Sequence, residues 1–143
     1  LPPTLRRQRQ MCIRDRGGLV AITAEPLMPS PLAAILIGAV GGVIVVYGTK
    51  FLLSLKIDDV VGAIPAHLFA GIWGTLAVPI TNPDTNFGAQ LLGVISINAF
   101  VFIVSLIVWA FMKNTFGIRL SKEGELKGTD VTETGVIAYA IRD

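Results

Sequence analysis

Three long stretches of the chain carry almost no charge, and they constrain the fold more than any other feature. Leu32–Leu55 has a single charge at Lys50, Ile57–Val78 has two carboxylates at its start, and Phe87–Met112 has none. A helix rises about 1.5 Å per residue, so each stretch can cross the roughly 30 Å hydrocarbon core of a bilayer. The chain is 52% hydrophobic and only 15% charged. These patterns predict an all-α protein that is a polytopic transmembrane helix bundle.

Prolines and polar turns between the apolar stretches set the expected boundaries. We expect full spans at about 31–55, 59–79 and 87–113, a partial span at 17–25, and a polar tail over 114–143. Residues 1–16 hold five arginines and no periodic apolar pattern. We interpret them as a foreign basic segment, such as a cloning scar, and exclude them from fold reasoning. The alternative is a basic arm at a membrane surface.

Composition also argues against several functions. A net charge of +2 gives no basis for binding nucleic acid. With one cysteine, Cys12, and one histidine, His67, the chain lacks the side chains of a typical metal site, and we expect no metal and no cofactor. The apolar stretches contain no nucleophile–base pair and no pair of acid–base carboxylates, so we expect no enzyme activity.

His67 is the sequence feature that points most directly to a function. It lies inside an apolar stretch, and ionisable side chains within a membrane usually lie on an ion path or face another helix. From the residues alone, work on a pore or proton path and an ordinary interhelical hydrogen bond are equally supported. Helical spacing places these residues on the face of His67: Val60, Ala63, Ile64, Gly71, Gly74 and Val78.

The start of the same span has its own signals. Asp58 and Asp59 are suited to cap the helix, because a short carboxylate accepts hydrogen bonds from the free N–H groups of a first turn. Pro65 lacks an N–H group, which predicts a kink with freed backbone near Val61.

Small and polar residues in the other two spans predict helix contacts. Gly38 and Gly42, reinforced by Gly41, form a surface on which a neighbouring helix can pack closely. In the last span, interhelical hydrogen bonds are expected from Ser96, Asn98 and Ser105.

The distribution of positive charge predicts the orientation. Beyond residue 16, every Lys and Arg lies either between the first two full spans or after the last one: Lys50, Lys56, Lys113, Arg119, Lys122, Lys127 and Arg142. Because positively charged loops stay in the cytoplasm, we expect the carboxy terminus to be cytoplasmic.

The paired Asp58 and Asp59, followed by His67 eight residues later, resemble the tenth span of the ammonium transporter family. This family comprises ammonium transporters, methylammonium permeases and Rhesus proteins. The resemblance runs from about Gly18 to Tyr139, and it departs at Gly62, where the family often has a third Asp, and at Thr134, where it often has a histidine. The tail resembles that of bacterial-type members at Gly117, Arg119, Gly128, Asp130, Glu133, Gly135 and Tyr139.

The resemblance implies the last part of an eleven-span fold, in a homotrimer with one pore per subunit. It implies a multi-pass protein of the bacterial inner or plasma membrane, which deprotonates ammonium and conducts ammonia through an apolar pore. The implied pore residues are His67, Ala63 and Thr23, although the residues themselves favour a Thr23 bonded to its own helix end. A second histidine, from the fifth span, and an outer aromatic cation site lie outside this chain.

The resemblance further implies a regulatory tail that packs under the bundle and against a neighbouring subunit. A nitrogen-signalling protein of the PII class is a possible partner there, besides ammonium or ammonia and the lipid bilayer.

Two other readings fit the residues. One is an accessory or assembly subunit of a membrane complex, and the other is a membrane ammonium sensor. Under the transporter reading, we expect that residues 1–143 alone do not transport.

Overall fold

The computed structural model of the protein describes residues 3–25, 30–57 and 59–136, with side chains from residue 11 onward. All regular structure in these residues is helical, which confirms the all-α prediction. The elements are α1 Pro3–Ile22, α2 Pro31–Ser54, a π-helical segment Ile64–Phe69 that continues into α3 Ala70–Thr81, α4 Phe87–Thr115, α5 Lys122–Lys127 and a π-helical turn Asp130–Thr134. Helices long and apolar enough to cross a membrane lie at Pro31–Ser54, Ile64–Thr81 and Phe87–Thr115.

Helix α1 begins well before the expected start at residue 17. It passes through Arg14 and Arg16 without a break, because arginine is a good helix former. Arg14 also forms an exposed ion pair with Asp15 at 3.3 Å. Ile13 is buried, and its side chain lies against Gly62. The segment that we excluded from fold reasoning therefore packs into the core, while its foreign origin stays a prediction.

Two compact units divide the chain, residues 1–98 and residues 99–143. In the first unit, α1, α2 and α3 pack at small residues. A Cβ atom on Gly41 would lie only 2.5 Å from the Cβ of Ala21 and 3.0 Å from the carbonyl oxygen of Gly17. A Cβ atom on Gly74 would collide with the carbonyl oxygen of Ala21. The close-packing surface predicted on α2 is thus confirmed, and its neighbour is α1.

A tryptophan side chain joins α3 to α2 in the same core. The indole Nε1 of Trp73 donates a hydrogen bond of 3.1 Å to the carbonyl oxygen of Ile37. Buried indole N–H groups need such a partner, since leaving one unmet is costly. This bond adds a directional contact to an interface otherwise formed by apolar surfaces.

The middle span begins later than expected and has no kink near Val61. Val61 lies in a turn before the helix, and Gly62 adopts a φ of 69°, which favours glycine. Pro65 lies in the first turn of the helix, where its missing N–H group leaves no hydrogen bond unmade. The kink prediction was wrong because it placed Pro65 well inside a helix that in fact begins at Ile64.

The second unit contains the end of α4 and the tail. None of the residues of α4 is buried. Helix α5 is capped by Ser121, whose hydroxyl oxygen accepts a 3.1 Å hydrogen bond from the N–H of Gly124. The hydroxyl of Thr132 donates to the carbonyl oxygen of Gly124 at 3.2 Å, and this bond ties the π-helical turn to α5. The tail therefore has local structure where composition alone would predict a flexible segment.

Candidate functional site

The side chain of His67 is exposed and lines a cleft of about 250 Å³ in the first unit. We call this the His67 cleft. One wall comes from the π-helical segment and α3, and the other comes from the first part of α4. The lining residues are His67, Leu68, Gly71, Ile72, Thr75, Gln90, Gly93, Val94, Ile97 and Asn98.

The π-helical segment determines which residues share a face with His67. Ala70 marks its end, where the N–H group donates to the carbonyl oxygens of both Pro65 and His67. A turn closed by bonds to the fifth preceding residue is wider than an α-helical turn, so it shifts the register of the residues that follow. Gly71 lines the cleft with His67 as predicted, but Gly74 is buried against α1.

Val78, also predicted on the face of His67, is buried and is not among the lining residues of the His67 cleft. The prediction assumed uniform α-helical spacing, but the spacing is not uniform here because the π-helical turn is wider. Thr75, eight residues after His67, takes the place in the cleft that spacing had given to Gly74.

The His67 cleft is lined by uncharged groups, apart from the titratable imidazole itself. Its other polar side chains are Thr75, Gln90 and Asn98. Asn98 was expected to bond to another helix, but its Nδ2 atom donates to the carbonyl oxygen of Val94 in its own helix at 2.7 Å. Sequence reasoning did not select Thr75 or Gln90, and their polarity within apolar stretches is the signal that could have found them.

The carboxylate of Asp59 lies at the start of the helix that carries His67. Its Oδ1 atom accepts a 2.9 Å hydrogen bond from the N–H of Ala63, and its Oδ2 atom accepts a 2.7 Å bond from the N–H of Ile64. Two first-turn N–H groups are thereby bonded by one side chain. Asp58, predicted to share this role, lies outside the described residues.

The other two predicted pore residues are not among the lining residues of the His67 cleft. Ala63 is exposed at the start of the helix, one turn before His67. Thr23 is exposed at the end of α1, where its hydroxyl donates a 2.8 Å hydrogen bond to the carbonyl oxygen of Val20. That bond matches the alternative reading of Thr23 as a helix-end residue.

The predicted tail residues include one ion pair. Nε of Arg119 donates to Oε1 of Glu125 at 2.7 Å, and an NH2 group of Arg119 donates to Oε2 at 3.2 Å. The hydrogen bond from Arg119, together with its positive charge, lowers the pKa of the Glu125 carboxyl. The same hydrogen bond, together with the negative charge of Glu125, raises the pKa of Arg119. The pair holds the chain before α5 against the helix.

The remaining tail residues lie in turns. Gly128 and Gly135 have φ values of 98° and 70°, at the ends of α5 and of the π-helical turn. Gly117 has a φ of 67° just after α4. Asp130 begins the π-helical turn and Glu133 is exposed within it. Tyr139 lies outside the described residues.

Comparison with known proteins gives a consistent result. The family model described as "Ammonium Transporter Family" matches residues 16–139. The chain is 38% identical over 144 residues to "Ammonium transporter Amt2" of Archaeoglobus fulgidus, covering 86% of this chain and 31% of that protein. It is 36% identical over 128 residues to "Ammonium transporter Amt1" of Haloferax mediterranei, covering 86% of this chain and 25% of that protein. The chain thus spans between a quarter and a third of the length of these relatives.

Proposed function

The chain belongs to the ammonium transporter family, and we propose that it forms the carboxy-terminal part of a transporter that carries ammonium nitrogen across a membrane. The observation that carries the proposal is the position of His67. The only imidazole of the chain lies in a cleft whose other lining residues have no charge. The similarity to proteins named ammonium transporters supports the choice of substrate.

The chemistry follows from the cost of moving an ion through a medium of low dielectric constant. Ammonium is strongly hydrated, so crossing an apolar path in the ionised form costs many kcal/mol. Loss of a proton, which returns to its original side or crosses by a separate polar route, gives neutral ammonia, for which an uncharged path suffices. A neutral imidazole both donates and accepts hydrogen bonds. His67 would therefore bind ammonia in passing without holding it by a fixed charge.

We assign the pore path to His67, Ala63 and Thr23. Asp59 supports the path indirectly, because it caps the helix that carries His67. The second histidine and the outer cation site would come from other segments of the transporter. We further propose a homotrimer with one pore per subunit.

The tail would lie in the cytoplasm of a cell of bacterial type, and the protein would be a multi-pass protein of its plasma membrane. The positive charges that follow α2 and α4 support this orientation. We propose that the tail is regulatory and offers a surface to a PII-type protein. The local order around Arg119 and Gly128, including the ion pair to Glu125, supports a defined surface.

The test is uptake of labelled methylammonium by cells that lack their own ammonium transporters and express the longer protein that contains these residues. His67→Leu removes both hydrogen-bonding nitrogens while keeping an apolar side chain. We expect the rate of uptake to fall at least about tenfold, which corresponds to a rise of about 1.4 kcal/mol in the activation free energy of transport. Proton-coupled current should change in the same variant.

Asn98→Leu is the matched control, because it removes a polar group from the same cleft. The amide of Asn98 is already bonded to its own helix at Val94. We expect this variant to retain most of its uptake. Unchanged uptake and current in His67→Leu would refute the role of His67, and absence of uptake in the unmodified protein would refute the proposed function itself.

A further inference from the structure

Glu25 is the buried charged side chain of the described part of the chain, with an exposed fraction of 8%. It follows the end of α1, and its Oε2 atom accepts a 3.1 Å hydrogen bond from Nδ2 of Asn82. The two residues are 57 positions apart. The bond therefore joins the end of α1 to the end of α3.

Asn82 makes four other hydrogen bonds at the same place, and in one of them its carbonyl oxygen accepts from the N–H of Thr85 at 3.3 Å. Its own N–H donates to the carbonyl oxygen of Val78 at 2.9 Å and ends α3. Its Oδ1 atom accepts from the N–H of Asp84 at 3.0 Å, and its carbonyl oxygen accepts from the hydroxyl of Thr85 at 2.8 Å. The residue that holds Glu25 thus also orders the loop between α3 and α4.

The carboxylate of Glu25 has no ion-pair partner among the described residues. The loops on this side of the spans, around residues 25–30 and 81–86, contain no Lys or Arg. A buried carboxylate that loses its hydrogen-bond donor is strongly unfavourable. Asn82 is therefore the side chain on which burial of Glu25 depends.

A second contact between α1 and α3 means that the bond from Asn82 to Glu25 helps to fix the angle between these two helices. Gly74 of α3 lies directly against the carbonyl oxygen of Ala21 in α1, four residues before Glu25. One contact point fixes the distance between two helices at that point only. Two points along the interface also fix the angle between them. The helix held in this way is the one that carries His67.

We propose that Glu25 and Asn82 form a polar clasp that sets the position of the His67 helix against α1 and thereby the rate of transport. They act as positioning residues through the backbone and do not touch the substrate. The inference rests on the proposed function, since transport is the activity that the clasp adjusts. The clasp depends on a hydrogen bond between the two side chains, and the charge of Glu25 is not its essential feature.

The test uses the full-length protein and four variants. Glu25→Ala removes the acceptor, and Asn82→Asp opposes two carboxylates, so we expect each to lower the maximal rate of methylammonium uptake about tenfold. Glu25→Gln keeps an acceptor for Asn82 and should stay within about twofold of the unmodified rate. The exchange Glu25→Gln with Asn82→Asp reverses the direction of the bond and should restore most of the rate lost in Asn82→Asp.

Asn86→Asp is the matched control, because it makes the same chemical change in the same loop. The side chain of Asn86 accepts a hydrogen bond from the N–H of Gly88, whereas the hydrogen bond to Glu25 comes from Asn82. We expect its uptake to match the unmodified protein. The apparent KM should change little in all of these variants, since the clasp does not bind substrate.

Three results would overturn the clasp. Glu25→Gln could be as impaired as Glu25→Ala, which would mean that the charge itself attracts the cation. The exchange variant could fail to recover the rate of Asn82→Asp, or Glu25→Ala could transport normally. Recovery in the exchange variant also guards against misfolding, because a variant that regains activity through a second substitution was limited by that contact.

Hydrogen–deuterium exchange over residues 81–86 tests the clasp without transport. The loop amides should exchange faster in Asn82→Asp and return to the unmodified rate in the exchange variant. Unchanged loop exchange in Asn82→Asp would refute the clasp itself. If the unmodified protein does not transport but loop exchange follows this pattern, the proposed function fails while the clasp stands.

Discussion

Helices α2 and α4 have similar composition but very different packing. Both are long and apolar enough to cross a membrane, yet 28% of the α2 span is buried and none of the α4 span is. Among the described residues, hydrophobicity alone therefore does not determine which helix is buried. In lipid, helix association depends on how closely backbones can approach, and that depends on the position of small residues.

The glycines of the two helices illustrate this difference. Gly41 of α2 lies against α1, and Gly48 lies against the π-helical segment, each at a distance that would strain an added methyl group. Gly93 of α4 has no neighbouring atom within 4 Å of the position that a Cβ would occupy. A glycine in an apolar span therefore does not by itself indicate a helix contact. It marks one only where atoms of another helix crowd the position that a Cβ would occupy.

The sharpest test compares one glycine of each kind, and it has the largest expected effect. Gly74→Ala places a methyl group against the carbonyl oxygen of Ala21, so the two helices must move apart. We expect a loss of about 1–3 kcal/mol in the free energy of unfolding, since overpacking has costs of this size. Thermal denaturation in detergent micelles measures it.

The control for this prediction is Gly93→Ala in α4. It should leave the unfolding midpoint unchanged or raise it slightly, because alanine favours the helix more than glycine does. Equal losses of unfolding free energy in Gly74→Ala and Gly93→Ala would contradict the difference in packing between α3 and α4.

A smaller effect is expected from the caps at the helix starts. Asp59→Ala removes the carboxylate bonded to Ala63 and Ile64, and Asn86→Ala removes the amide oxygen bonded to Gly88. Each change should lower the free energy of unfolding by about 1 kcal/mol. Methylammonium uptake should fall further in Asp59→Ala, because that cap positions the helix with His67. Equal uptake in Asp59→Ala and Asn86→Ala, at equal expression, would contradict the claim that the Asp59 cap supports transport by positioning the helix that carries His67.

The smallest effect is expected in the exposed tail. The lowered pKa of Glu125 means that its pairing with Arg119 stabilises the tail above the ordinary carboxyl pKa of 4.5. This contribution is lost as the pH falls from there through the lowered pKa. At neutral pH, Glu125→Gln should speed hydrogen–deuterium exchange over residues 119–127 only slightly, as exposed pairs contribute little.

Glu123→Gln is the control in the tail, because Glu123 is exposed and has no ion pair in the described residues. It should not change the exchange rate. If acidification to below the lowered pKa of Glu125 abolishes the difference in exchange rate between Glu125→Gln and the unmodified protein, the pair is the cause of that difference. If the difference in exchange rate persists at that pH, its cause is not the pairing of Glu125 with Arg119.

The sequence predicted the large elements of the fold well, because long uncharged stretches have few alternatives in a bilayer. The packing surface of α2 was also predictable from the spacing of its glycines. The exact face of His67 was not, because a π-helical segment shifts the register and no local residue type announces it. The contact of Glu25 with Asn82 was equally inaccessible, since a pairing over 57 positions depends on tertiary structure.

The hydrogen bond from Trp73 to Ile37 has a practical consequence. The chain contains two tryptophans, and the other, Trp109, is 57% exposed on α4. The emission of an indole shifts with the polarity around it and with the partner of its N–H group. With Trp109→Phe, the intrinsic fluorescence of the chain would come from Trp73 alone and report directly whether α2 and α3 remain joined.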